Sequence, residues 1–357
     1  MTSRRRFLAA SGTVGAAGLS GCLAELGRLY TSSEPPVVSN RPDEVYVPTH
    51  TEGMRMVGSA DAGDLRVGVF YSYPHRFWVM ADEGEGFGTS KTAVEAGDDV
   101  HLMASVWDPE TGVVVPDTGL SIEIARDGDL VSEEVVYAML SQRMGFHYGS
   151  NFGLDGDGTY EVSVDVGVPS LRPFGDLAGR FESPASATLD FEYSSGDRDD
   201  IPYTTFDDQQ GDPGAVRPME TDGLPLGRGP ETLPGTALGA ATTGSLRLVG
   251  TALDADRFGD DPYLAVFPLT PYNRLLVPRL GLTATVASGG DTGGSSGFDG
   301  RLEPGLDADI GFHYGASVPG LAGDDATVDL AVDVPPQVAR HEGYETAFLD
   351  FDPVRLG

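Results

Sequence analysis

Apolar and polar side chains alternate along most of this chain. The runs are Leu65-Val67-Val69, Val100-Leu102-Ala104-Val106, Leu120-Ile122-Ile124, Tyr160-Val162-Val164-Val166 and Leu189-Phe191, followed by Leu246-Leu248 and Leu282-Ala284-Val286. A period of two is that of a strand with one face on a core, and helical periodicity is absent almost everywhere. Gly-Asp turns break the runs. The clearest, Asp155-Gly156-Asp157-Gly158, predicts a tight turn before the Tyr160 strand, and it lacks the ligand spacing of an EF-hand calcium loop. Short strands at such intervals predict an all-β chain of antiparallel sheets packed as sandwiches.

The pattern occurs twice. Gly145-Phe146-His147-Tyr148-Gly149 returns unchanged 166 positions later as Gly311-Phe312-His313-Tyr314-Gly315. At the same offset Val162, Val164, Val166, Val168 and Pro169 meet Val328, Leu330, Val332, Val334 and Pro335. Upstream, Asp98-Asp99-Val100-His101-Leu102 meets Asp260-Asp261-Pro262-Tyr263-Leu264 at an offset of 162. Downstream, Arg180-Phe181-Glu182 meets Arg340-His341-Glu342 at an offset of 160. Three anchored blocks in one order predict two tandem copies of one domain. The first copy is expected over residues 59–194 and the second over 243–357, joined by a Gly-, Pro- and Asp-rich linker, 195–242.

The N-terminus reads as a targeting segment. Ser3-Arg4-Arg5-Arg6-Phe7-Leu8 has the form of a twin-arginine signal, and Leu19-Ser20-Gly21-Cys22 resembles a lipobox. Residues 1–22 are therefore expected to be a lipoprotein signal peptide, with Cys22 the lipid attachment point and 23–58 a tether. Cys22 is the only cysteine, so the folded copies hold neither a disulfide nor a thiolate metal site. The expected location is extracytoplasmic, on the outer face of the cell membrane.

Composition changes how the acidic residues are read. Asp and Glu number 55 against 23 Lys and Arg, giving a formal net charge of -32, and Lys91 is the sole lysine. Such an excess repels nucleic acid. It also repels itself unless salt screens it, and the balance is similar to that of haloarchaeal proteins. Scattered carboxylates are then mostly a solvation device. No Gly-x-Ser-x-Gly elbow, phosphate-cradling loop or His-Glu-x-x-His occurs, and no catalytic activity is expected.

Candidate chemistry rests on six histidines. Alternation puts His101, Met103, Ser105 and Trp107 on one strand face and Val100, Leu102, Ala104 and Val106 on the core face. His101 and Met103 are thus neighbouring potential ligands. His147 sits in a Gly-flanked turn just after Met139 and Met144, where a bend can present an imidazole or merely let it hydrogen-bond the backbone. Gly145 and Gly149 point to backbone geometry. His50, in the tether, is expected to be solvated. His75, in Tyr73-Pro74-His75-Arg76-Phe77-Trp78, lies in an insertion that the second copy lacks, and it is either an extra ligand or part of an aromatic plug.

Asp99-Val100-His101-Leu102, then methionines, then Gly145-Phe146-His147-Tyr148-Gly149-Ser150-Asn151 resembles the periplasmic iron transport proteins of the P19/Tp34 type. The resemblance covers most strands of the first copy through few motif positions. It implies immunoglobulin-like sandwiches, commonly homodimeric, that bind copper or iron through His and Met in ferrous iron uptake. Carried over, His101 and His147 are ligands, and Met139 matches the family methionine with a one-residue shift. Met103 stands where the family has Glu. The family's third histidine, in Gly-Arg-His, falls at Phe181 in the first copy and at His341 in the second, which also keeps His313 but has Tyr263 for His101. Neither copy holds a complete set; His341 of one copy meeting His101 and His147 of the other completes it. The expectation is a membrane-anchored protein handling iron or copper beside a metal permease. The alternative is a metal-free, degenerate sandwich pair serving envelope protein contacts.

Overall fold

The computed structural model describes residues 35–82, 84, 86–287, 296–321 and 326–357. The twin-arginine stretch and Cys22 lie outside them. Among the described residues the chain forms twenty-four strands, numbered β1 to β24 by position, with one short α-helix, Ser195–Asp199.

The first repeat is a sandwich. One sheet has the order β2 (Arg55–Ala62), β3 (Leu65–Ser72), β6 (Val100–Trp107), β10 (Gly145–Phe152), β9 (Tyr137–Ser141), β23 (Ala339–Arg340), β4 (Phe77–Asp82), β5 (Phe87–Thr92). Its facing sheet runs β13 (Ala185–Tyr193), β11 (Gly158–Val166), β7 (Leu120–Arg126), β8 (Asp129–Glu133). Alternation accounts for the core between them. Val100, Leu102, Ala104 and Val106 pack with Ile122, Ile124, Tyr160, Val162, Val164, Leu189 and Phe191, all buried. Each such side chain stabilises the fold by roughly 1.5–3 kcal/mol relative to exposure.

The second repeat copies this plan. Its larger sheet has the order β12 (Arg172–Pro173), β20 (Glu303–Asp307), β21 (Gly311–Ser317), β17 (Tyr263–Leu269), β16 (Leu246–Leu253), β15 (Thr236–Thr243). The smaller runs β19 (Ser296–Arg301), β18 (Gly281–Ala287), β22 (Thr327–Val334), β24 (Val354–Leu356). A two-stranded sheet pairs β1 (His50–Glu52) with β14 (Tyr203–Thr205), joining the segment before the first repeat to the segment between the repeats.

The repeats exchange edge strands. β23 of the second repeat runs parallel to β9 of the first, Ala339 opposite Met139 and Arg340 opposite Leu140. β12 of the first repeat runs parallel to β20 of the second, Arg172 opposite Gly305 and Pro173 opposite Leu306. Met139 and Gly305 are 166 positions apart, so the two exchanges are the same contact made twice. Among the described residues, only the first repeat adds a hairpin, β4 with β5, beyond the exchanged strand. The outer face of β6, which carries His101 and Met103, is thereby covered as fully as its core face.

Candidate metal centre

The repeated pentapeptide does identical structural work in both repeats. Gly145 (φ 68°) and Gly311 (φ 73°) take the left-handed turn that leads into the strand. Phe146 and Tyr148 meet edge to face at 5.3 Å, as Phe312 and Tyr314 do at 5.4 Å. The Tyr148 hydroxyl accepts the backbone N–H of Thr118 at 2.9 Å, and that of Tyr314 accepts Leu280 N–H at 3.0 Å. His147 Nδ1 lies 3.0 Å from the Gly145 carbonyl, and His313 Nδ1 lies 3.0 Å from that of Gly311. A carbonyl only accepts, so both rings carry their proton on Nδ1 and hold a lone pair on Nε2. What Nε2 faces separates the repeats.

In the first repeat it faces other imidazoles. His75, from the loop between β3 and β4, lies 4.0 Å from His101 and 4.8 Å from His341, ring centre to ring centre. His341 lies 5.2 Å from His147 and 5.7 Å from His101. Nitrogens of His75, His101 and His341 all fall within 4.8 Å of one another. All four Nε2 atoms are buried, and none has a hydrogen-bond partner among the described residues. An orphaned buried acceptor costs roughly 1–3 kcal/mol, so four beside each other form a cluster that a bound cation would satisfy.

The surrounding bonds fix which nitrogen points inward. His75 Nδ1 meets the Tyr73 carbonyl at 3.0 Å. Asn151, opposite His101 across the β6–β10 ladder, places its Oδ1 2.8 Å from His101 Nδ1. The same Oδ1 accepts His75 N–H at 3.3 Å while Asn151 Nδ2 donates to the His75 carbonyl at 3.1 Å, which settles the amide's orientation. One asparagine therefore holds two of the imidazoles. Burial, then the neighbouring His75, pushes His101 and His341 well below the ordinary histidine range, and burial brings His147 down to about 4. Neutral imidazoles are the ligand form.

Met139 completes the set. Gly149 has an ordinary strand φ, so its conservation between repeats is a matter of space. A Cβ there would stand 2.9 Å from His101 Nε2 and 3.3 Å from Met139 Sδ. The bare backbone leaves room where the thioether and the imidazole converge.

A shell of charge closes the cluster. Arg76 and Glu342, the residues after His75 and His341, form a buried ion pair at 2.5 Å. Glu342 also accepts from Thr49 N–H and Oγ1, at 3.3 and 3.0 Å. His50 is buried, contrary to the expectation of a solvated residue. It stacks on Tyr203 and bonds Glu52 at 2.8 Å. Burial lowers its affinity for a proton, but Glu52 more than offsets that and raises it overall.

Among its described residues the second repeat holds no such cluster. Tyr263 stands for His101, and Gly305, opposite His313 in the ladder, stands for Met139. Phe174, which follows β12, stands for His341, which follows β23. Their backbone N–H groups make the same bond, to Leu306 O at 2.8 Å and Leu140 O at 3.2 Å. The sequence alignment matched His341 with Phe181 instead; Phe181 is buried in the main hydrophobic core. The Tyr263 hydroxyl lies 3.2 Å from His313 Nε2 and donates to it, amid the rings of Phe174, Phe258 and Phe267.

Of the residues singled out from sequence, His101, His147, Met139 and His341 come together, and His75 joins them. Met103 packs instead with Phe70, Met144 and Leu224. His313 lies in the other repeat's aromatic pocket. Asn151 closed the quoted motif but was given no role there, and the Arg76–Glu342 pair was not legible; adjacency to His75 and His341 is the only sequence signal for the pair.

Solved structures similar to parts of the chain include two of FetP. FetP from a uropathogenic E. coli strain is 21% identical with a TM-score of 0.31, covering 40% of this chain and 96% of its own. A copper-bound variant of FetP is 23% identical with a TM-score of 0.30, covering 39% and 97%. No curated protein matches. A family described as a domain of unknown function, DUF7350, matches residues 55–171 and 231–357. Those stretches make up more than half of the chain and take in a large part of each repeat, and the protein belongs to the DUF7350 family.

Proposed function

We propose that this chain binds one transition-metal ion between its repeats, through His75, His101, His147 and His341 with the Met139 thioether as a further donor. The observation that carries this reading is the triad of His75, His101 and His341, whose nitrogens fall within 4.8 Å of one another, with the His147 ring 5.2 Å from that of His341 and all four Nε2 atoms buried and unpartnered among the described residues. Hydrogen bonds hold the rings of His75, His101 and His147 with the lone pair inward, as outer-shell partners do for metal-ligating histidines. The set contains no carboxylate, since Glu342 is tied to Arg76 and Glu52 to His50. Imidazole with thioether suits copper, Cu(I) above all, and also accommodates Fe(II).

The wider reading is a binding protein that handles copper or iron outside the cytoplasm. It is held at the membrane through a lipid on Cys22 and exchanges its ion with a permease. The internal pairing of repeats supplies what a second subunit supplies in a homodimer.

The test is titration of the mature chain with Cu(I), Cu(II) and Fe(II) in molar KCl. One ion per chain is expected. His101→Ala and His341→Ala each weaken binding by roughly 10–100-fold or more, while His313→Gln leaves it within about threefold. Absence of binding by the wild type, or equal loss in all three variants, overturns the proposal and favours the metal-free interaction module.

A further inference from the structure

The second repeat repeats the architecture of the candidate metal centre position by position. β20 and β21 pair as β9 and β10 do, and His313 lies opposite Gly305 as His147 lies opposite Met139. β12 enters beside β20 as β23 enters beside β9. His313 is buried, with the same Nδ1 bond and the same inward Nε2 as His147. Four positions thus converge in both repeats, occupied by His101, Met139, His147 and His341 in one, and by Tyr263, Gly305, His313 and Phe174 in the other.

The difference lies in how the lone pair on Nε2 is met. In the first repeat it has no partner among the described residues; in the second, the Tyr263 hydroxyl donates to it at 3.2 Å. Burial, followed by the opposing pull of Arg172, leaves the phenol's proton held more tightly than usual, so Tyr263 remains a donor. The substitutions are also coupled by volume. A Cβ at Gly305 would stand 2.8 Å from His313 Nε2 and 2.9 Å from Phe174 Cε2, and one at Gly315 would stand 2.3 Å from the Tyr263 oxygen. The phenol and the Phe174 ring fill the volume that a thioether and two imidazoles take in the other repeat.

We infer that the second repeat is a transition-metal site closed by its own side chains, in which the Tyr263 hydroxyl takes the place of the ion on His313 Nε2. The inference rests on the metal-binding reading of the first repeat for the identity of the ligand class, a soft or borderline transition ion, and adds that the chain is built to hold one ion where its fold has two places. The three changes are made together, because a side chain at 305 meets the native Phe174 ring as well as the His313 ring, which must shift to admit it.

The experiment is Cu(I) titration of the full mature chain carrying Tyr263→His, Gly305→Met and Phe174→His, each copying the residue at the matching place in the first repeat. The first equivalent reports folding, since it binds as in the wild type only if the inter-repeat site is intact. A second equivalent is expected, and adding His313→Ala removes that equivalent alone. If the triple variant keeps the first equivalent and gains none, the closed-site inference is overturned. If the wild type binds nothing while the variant gains one ion that His313→Ala abolishes, the closed site stands and the reading of the first repeat falls. A variant that loses the first equivalent is replaced by Tyr263→Phe, for which the 15N resonance of His313 Nε2 is read. Loss of a donated proton shifts that resonance, and an unmoved resonance overturns the inference.

Discussion

Phe174 and His341 occupy one position in two settings. Each follows a two-residue strand lent to the other repeat, and each backbone N–H donates to the carbonyl of the second-last residue of the strand it joins, Leu306 and Leu140. The exchange of strands is therefore common to both repeats, and it is the side chains at equivalent places that differ.

Gly149→Ala should weaken metal binding while leaving the chain folded. The backbone at 149 suits alanine, but the new methyl would press on His101 Nε2 and Met139 Sδ. Overpacking of this kind costs about 1–3 kcal/mol. Titration against the wild type checks it: affinity falls by roughly tenfold or more, and an unchanged affinity would mean that the thioether and His101 do not share an ion.

Tyr148→Phe and Tyr314→Phe should destabilise the protein to similar extents, about 1–3 kcal/mol each, because each strands one buried backbone N–H, of Thr118 or of Leu280. Denaturant unfolding measures the loss. Metal stoichiometry stays at one in both, since the hydroxyls point into the sandwich cores and away from the cluster.

Glu342→Gln should cost about 3 kcal/mol or more by leaving Arg76 buried beside a neutral partner, the two side chains being 8% and 6% exposed. Asp61→Asn, which breaks the pair of Arg66 and Asp61 at 40% and 63% exposure, should change stability by less than about 1 kcal/mol. Parallel unfolding curves decide the matter. A Glu342→Gln curve that overlays the wild type would show that the pair does not clasp the His75 and His341 loops together.

His313 gives a pH dependence of defined sign. Burial brings its folded value down to about 4 from an ordinary 6.5. Between these values the unfolded chain binds a proton that the folded chain does not, so this group makes stability rise with pH across that window. The contribution, about 3 kcal/mol, is fully present above pH 6.5 and lost as pH falls towards 4. His313→Gln should flatten the stability profile by that amount relative to the wild type, measured by urea unfolding at fixed salt.

Alternation along the strands made the sandwiches legible, because a period of two is preserved wherever one face meets a core. The split of β6 into Val100, Leu102, Ala104 and Val106 against His101 and Met103 followed directly from it. The pentapeptide made the duplication legible for the same reason in both repeats: its glycine turn, its edge-to-face ring pair and its tyrosine hydroxyl each satisfy a backbone need. The first-repeat counterpart of His341 was harder to see. Matching Phe181 with His341 kept residue identity, Arg before and Glu after, whereas the strand exchange aligns by hydrogen bonds and sets Phe174 there. Met103 looked like a ligand from its strand face alone. It points instead into the cluster of Phe70, Met144 and Leu224, because the face is wide enough to hold both a polar centre and an apolar patch. His50 looked solvated for its proline-rich surroundings, which carry no trace of the strand β14 that covers it.

The imidazoles of His75 and His341 stand 266 positions apart in the chain yet side by side in the fold. A polypeptide cut short in its second repeat, or clipped between the repeats, keeps at most three of the four rings and loses the strand that seals them. On the proposed reading, the full ligand set forms only where both repeats have been made and have found each other, so a chain lacking either half would not retain the ion.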